Sequence, residues 1–260
     1  LFRSDRQRRG EPNAGKPEAQ AEWKPHPTTL TLGIILAGGA SRRMELPAGK
    51  SKAVSLLAGR TLLEHVCRAV RPAVDRLVVV AAADQPIPTL PEIDAVIHDS
   101  RPGAGPLVGI ADALRAAGPK CDRAFVASCD VPLLVPAVVQ LLLAQVGEPG
   151  VTWAVPWVAD HPQVLVSAMR PSILPEIEAH LAAGRRDPRG LIDRLASAAG
   201  GGVRLVPAAD VQAVDPDLVS FADIDTTADL ARIAARPLYS APWRRDIPEN
   251  RGDSGRASDG

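Results

Sequence analysis

Short apolar runs rich in β-branched residues alternate along this chain with longer segments whose apolar residues recur at helical spacing. That is the pattern of βαβ units and a mainly parallel sheet. A strand buried on both faces reads as a continuous apolar run, and residues 30–36 (LTLGIIL), 77–81 and 124–127 read that way. Residues 95–98 fit a shorter strand. Between these runs, 61–70 places Leu62, Leu63, Val66 and Val70 on one helical face. A helix is predicted from Pro106, where proline is tolerated in the first turn, and another over 135–146. Farther along, 152–158 and 164–168 flank the turn-like Ala159-Asp160-His161-Pro162-Gln163, which predicts a strand pair that breaks the parallel pattern. Helices near 171–183 and 188–198, a strand near 203–206 and a helix after Thr226 complete the reading. The predicted fold class is α/β, a Rossmann-like, mainly parallel sheet with helices on both faces.

With 260 residues, 46% of them hydrophobic and 23% charged, the chain can build one sizeable core. That core is expected within 29–235. Residues 1–28 and 236–260 are rich in Arg, Pro, Gly and acidic residues and too poor in apolar ones to offset the entropy of ordering, so both are predicted to be disordered tails. Lys and Arg together number 30, as do Asp and Glu, so no global positive field draws the protein to nucleic acid. The longest candidate membrane span, 131–146, is interrupted by Pro132, Pro136 and Gln140. No apolar h-region follows the first arginines, and the expected location is cytoplasmic. Cys67, Cys121 and Cys129 form no CxxC pair and are read as small buried residues.

The most informative stretch is Leu36-Ala37-Gly38-Gly39-Ala40-Ser41-Arg42-Arg43-Met44, which follows the first predicted strand and leads to Lys50, Ser51 and Lys52. Paired glycines at a strand end let backbone N–H groups approach phosphate oxygens, since no Cβ intervenes. Arg43 and Lys52 add positive charge where a triphosphate would lie. An ordinary turn with solvated basic residues is the alternative. Neither GxGxxG nor GxxxxGK[ST] is present, which weighs against dinucleotide-dependent hydride transfer and against the P-loop NTPases. Asp130 follows the 124–127 strand at its carboxyl end, where ligands sit in open α/β sheets. There it suits Mg²⁺, a hard cation that prefers oxygen ligands, and it equally suits a turn before Pro132. Thr226 and Asp229 have the spacing of a helix capping box.

The LAGGASRRM segment, followed by Ser51-Lys52 and by Leu57-Ala58-Gly59-Arg60-Thr61-Leu62-Leu63, resembles the nucleotidyltransferase signature LAGG-x-x-x-RMG…K…L-x-G-x-x-L. Gly105-Pro106-Leu107-Val108-Gly109 resembles a GPL-x-G segment, Cys129-Asp130-Val131-Pro132 a CD-x-P segment, and Asp225-Thr226-Thr227-Ala228-Asp229-Leu230 an NTPEDL-like element. The ordered set is similar to that of the molybdenum cofactor guanylyltransferases, over residues 32–235. The resemblance implies a nucleotide-diphospho-sugar transferase-like fold and an enzyme that transfers GMP from GTP to the terminal phosphate of molybdopterin or Mo-molybdopterin, releasing pyrophosphate. It implies Leu36, Ala37, Gly38, Gly39, Lys52, Asp99 and Asp130 as nucleotide contacts, Lys52, Arg43 and Asp130 as catalytic residues, and Asp130 as the Mg²⁺ ligand. Molybdoenzymes or other proteins of cofactor synthesis are the further partners it implies.

The pattern departs from the family in particular places. Glu45 follows Met44 where glycine is usual, and the interval to Lys52 is longer, which makes Lys50 a competitor. The interval from Lys52 to Gly59 selects Lys52. Ala81 stands where some members have an asparagine, and Asp223 and Asp225 stand where asparagines near the pterin site often occur. Asp99 is also read as the start of a turn at Ser100-Arg101-Pro102-Gly103. His161 matches a family turn. Arg185 and Arg186 either face a pterin phosphate or form a solvated basic helix end. A CTP-dependent enzyme, a different phosphorylated acceptor, and a non-catalytic nucleotide- or pterin-binding module are the alternative functions.

Overall fold

A computed structural model of the chain describes residues 29–38, 51–101, 103–198 and 200–235. The two predicted tails lie outside the described residues, as do Gly39, Arg43 and Lys50. The strands are β1 (Leu30–Leu36), β2 (Leu56–Leu57), β3 (Arg60–Thr61), β4 (Arg76–Ala81), β5 (Ala95–His98), β6 (Cys121–Ser128), β7 (Trp153–Val158), β8 (His161–Pro162), β9 (Val166–Met169) and β10 (Val203–Pro207). The helices are α1 (Leu62–Val70), α2 (Pro106–Ala117), α3 (Pro136–Gly147), α4 (Leu174–Ala182), α5 (Pro188–Ser197), α6 (Ala208–Gln212) and α7 (Thr227–Ala234).

The main sheet runs β10-β7-β9-β6-β1-β4-β5, with β8 hairpinned onto β7. β1 pairs in parallel with both β4 and β6, and β4 with β5. β9 runs antiparallel to both neighbours, β6 and β7, so the strand pair expected around residue 160 does break the parallel pattern. Side-chain alternation sorts each central strand between two cores. Ile35, Val79 and Phe125 face α1 and α3, whereas Leu32, Ile34, Leu36, Val80 and Val126 face α2, α4 and α5. The predicted α/β class, with helices on both faces of a mainly parallel sheet, is what the chain forms. Among the described residues no helix is long and apolar enough to cross a membrane.

Several quoted motif residues are explained by backbone geometry. Ala58 and Gly59 both have positive φ, 49° and 81°, as a two-residue type I′ hairpin between β2 and β3 requires. Gly109 lies on α2 where a Cβ would come within 3.1 Å of Val80 and 3.2 Å of Leu36, so the helix sits close on the sheet. Thr61, expected as the first residue of α1, is its N-cap, accepting from the Glu64 N–H. The box expected at Thr226 and Asp229 caps α7 with both reciprocal bonds present. Thr226→Ala is expected to cost about 1 kcal/mol, read as a lower urea midpoint with an unchanged slope.

Candidate active site

Chain order along the sheet creates the site. From β1 the chain steps to β4 and β5 on one side, then returns through α2 to place β6 on the other side of β1. The carboxyl ends of β1 and β6 therefore flank a topological switch point, the usual ligand crevice of an open α/β sheet. Lys52 comes to this crevice from the segment after β1 and Asp130 from the turn after β6.

Lys52 opens a short 3-10 turn, Lys52–Val54, capped by the Ser51 hydroxyl, which accepts from the Ala53 N–H at 3.2 Å. Ala53 is fully buried in the α1–α3 core and anchors the turn. The lysine's ammonium donates to Asp130 Oδ2 at 2.9 Å and to Asp225 Oδ1 at 2.8 Å, with the lysine side chain only 11% exposed. Burial would lower the lysine's pKa, but the charge of Asp130 and the hydrogen bonds to Asp225 and Asp130 more than offset it, and the net shift is upward. Lys52 therefore keeps its charge throughout the neutral range.

Asp225 enters through the far end of the domain. Its segment is tied to the sheet by the Ile224 N–H, which donates to the Asp130 carbonyl at 2.9 Å, and by Ile224 itself, fully buried with Leu57, Leu62 and Ile233. The α7 cap reaches the same residue, since Asp229 Oδ2 accepts from the N–H groups of both Asp225 and Thr226. Asp223 stands nearby with its carboxyl above the ordinary range, because of burial first and then the negative charges of Asp225 and Asp130. Two carboxylates thus bond one ammonium, with a third acidic group close enough to feel their charge, a concentration of acidic groups that suits a hard divalent cation. Among the described residues no three His, Cys, Asp or Glu side chains form a metal cage. The fit is to an ion held by one or two carboxylates together with substrate phosphates.

The other residues named from the sequence are dispersed. Leu36 and Ala37 are buried at the end of β1; the Leu36 carbonyl accepts from the Cys129 N–H and the Ala37 carbonyl from Gln85. The Gly38 N–H, read as a phosphate donor, is engaged by the Val80 carbonyl at 3.2 Å. Among the described residues a Cβ at this glycine would make only ordinary contact, nearest the Ala82 N–H nitrogen at 3.6 Å. Asp99 sits at the end of β5, two strands beyond β1, so it is not among the groups around Lys52. Its Oδ1 accepts from the Arg101 N–H at 2.9 Å, the turn expected there. Arg185 and Arg186 are both exposed just beyond the end of α4, as a solvated basic helix end would be; Arg185 Nε donates to buried His180, and the Arg186 backbone passes Gly105. His161 is exposed at the start of β8, bonded to Ala159 and Gln163.

Two bracing residues carried no motif in the sequence. Asp112 on α2 accepts from the Ser100 N–H at 2.9 Å and pairs with Arg115 at 2.8 Å, holding the turn after β5. Burial would raise its pKa, but bonds from Ser100 and Arg115 bring it below the ordinary range. Gln85, in the β4–β5 connection, bonds Ala37 and Ser51. The three cysteines are buried, and burial pushes the Cys67 and Cys129 thiols up to about 12 and Cys121 to about 11, which leaves them protonated and unreactive.

Comparison with known proteins gives a consistent result. Residues 33–202 match the model of the MobA-like NTP transferase domain. A molybdenum cofactor guanylyltransferase of Desulfosudis oleivorans is 34% identical over 78% of this chain and 94% of its own length. The crystal structure of molybdopterin-guanine dinucleotide biosynthesis protein A from Archaeoglobus fulgidus superposes with a TM-score of 0.62 and 26% identity, covering 77% of this chain and 95% of that one. Rv0371c of Mycobacterium tuberculosis, solved in complex with manganese, shares the fold at 20% identity and a TM-score of 0.50, covering 70% and 89%.

Proposed function

The chain belongs to the MobA-like NTP transferase family, and on that premise we propose that it joins GMP from GTP to the terminal phosphate of molybdopterin or Mo-molybdopterin. The observation that carries this reading is the buried Lys52 ammonium held between Asp130 and Asp225 at the switch point of the sheet. In the reaction an oxygen of the pterin phosphate forms a bond to the α-phosphorus of GTP. The α–β anhydride bond breaks, and its electron pair leaves with pyrophosphate. A phosphate nucleophile is already ionised near neutral pH, so no general base is assigned.

The chain's work is positioning and charge stabilisation. Lys52 and Arg43 would face the phosphates where negative charge accumulates, Leu36 to Gly39 would lie beneath the nucleotide, and Asp99 would contact it from the β5 side. Close approach of the triphosphate gives a reason for glycine at position 38, where among the described residues a Cβ would meet no tight contact. Asp130 and Asp225 would hold a divalent cation, Mg²⁺ in this proposal. When bound, that ion neutralises charge on the triphosphate.

Purified protein incubated with MgCl₂, GTP and molybdopterin is expected to yield the guanine dinucleotide, identified by mass, and one pyrophosphate per product. No product under these conditions would overturn the reading. GTP is expected to exceed ATP, CTP and UTP by on the order of 10⁴-fold in kcat/KM, the scale at which a site built to hydrogen-bond one substrate rejects an analogue that leaves its polar groups unpaired. Equal use of all four in a pyrophosphate-release assay would defeat that specificity.

A further inference from the structure

We propose that Gln85 is a positioning residue for Lys52, an inference that rests on the role given to Lys52 above. Gln85 lies in the connection between β4 and β5, outside every motif discussed so far. Its Nε2 donates to the Ala37 carbonyl at 2.9 Å and to the Ser51 hydroxyl at 2.6 Å, while its Oε1 accepts from the Ala82 N–H at 3.3 Å. These partners fix the orientation of the amide: the carbonyl of Ala37 can only accept, and the N–H of Ala82 can only donate.

The consequence falls on the turn that carries the lysine. Ser51 Oγ accepts from Gln85 on one side and from the Ala53 N–H on the other, so both lone pairs of the capping hydroxyl are used. Lys52 sits between that cap and the fully buried Ala53. Gln85 therefore connects the lysine's turn to the end of β1, where Ala37 and Gly38 are themselves bonded to Val80 of β4. Ala81 and Ala82 offer no polar side chain at this strand end, and Gln85 supplies one from farther along the same connection. Its bonds set where the Lys52 turn stands relative to the site, and a displacement of about 1 Å in a catalytic group can cost about 10²-fold in rate.

Gln85→Met tests this, since it keeps the side chain's length and bulk and removes all three hydrogen bonds. Wild type, Gln85→Met and Lys52→Ala are assayed for kcat and for KM of GTP. Wild type and Gln85→Met are also treated, without substrates, with an amine-reactive ester, and labelling of Lys52 is measured by peptide mass against exposed Lys120. Gln85→Met is expected to lower kcat about ten-fold with KM within about two-fold, and to raise Lys52 labelling several-fold relative to Lys120. Unchanged labelling would overturn the proposal, as would an unchanged kcat where Lys52→Ala loses activity. Raised labelling with full activity in all the variants would keep the positioning of Lys52 by Gln85 and remove the catalytic role of Lys52 instead.

Discussion

Asp130→Asn is expected to lower kcat/KM by about 10³-fold while the protein stays folded. Removing one preorganised electrostatic group costs about 10² to 10³-fold; Asp130 bonds the Lys52 ammonium and, under the proposed function, would also hold the divalent cation. The fold should survive because the change is nearly isosteric and leaves the backbone untouched, including the Asp130 carbonyl that holds Ile224. Lys52 also keeps its bond to Asp225. Kinetics across a Mg²⁺ titration, with a thermal melt, would check this. Wild-type turnover at low Mg²⁺ would remove Asp130 from the site.

Lys52→Ala is expected to lower kcat by about 10²-fold and to affect KM for GTP much less. An ammonium that stabilises charge developing only in the transition state is lost from kcat rather than from binding. Lys50→Ala is expected to change activity at most several-fold, since the assignment gives the phosphates to Lys52. The interval from Lys52 to Gly59 selected Lys52 over Lys50 in the sequence, and the 2.9 and 2.8 Å bonds to Asp130 and Asp225 agree with that choice. A larger loss for Lys50→Ala in steady-state kinetics would reverse the assignment.

The long parallel strands were legible because burial on both faces leaves a continuous apolar run, as in β1, which was placed to the residue. The α7 cap was legible for a different reason: its two partners, Thr226 and Asp229, lie within one turn of each other. The β2–β3 hairpin was not, since two-residue strands carry no periodicity and Ala58 is an unusual residue for a positive φ. The five-residue α6 was missed because so short a helix shows no repeating face. In the site, Lys52 and Asp130 came from motifs near strand ends. Asp225 had been seen only as a departure from an asparagine, because a contact across 173 positions leaves no local pattern. Gln85 acts through backbone carbonyls and a hydroxyl, partners that no spacing rule reveals.

That long-range contact also sets when the protein can become competent during its own synthesis. Every strand of the sheet is complete by Pro207, and Lys52 and Asp130 are in place with it. The partner carboxylate arrives only with the segment that leads into α7, seated by Ile224 and Ile233 against Leu57 and Leu62. Contacts so distant along the chain form late, after the loop between them has closed. A nascent chain cut after Pro207 would thus hold a nearly finished scaffold with an incomplete acidic pair. The acidic pair is completed only where the segment leading into α7 meets the Lys52–Val54 turn.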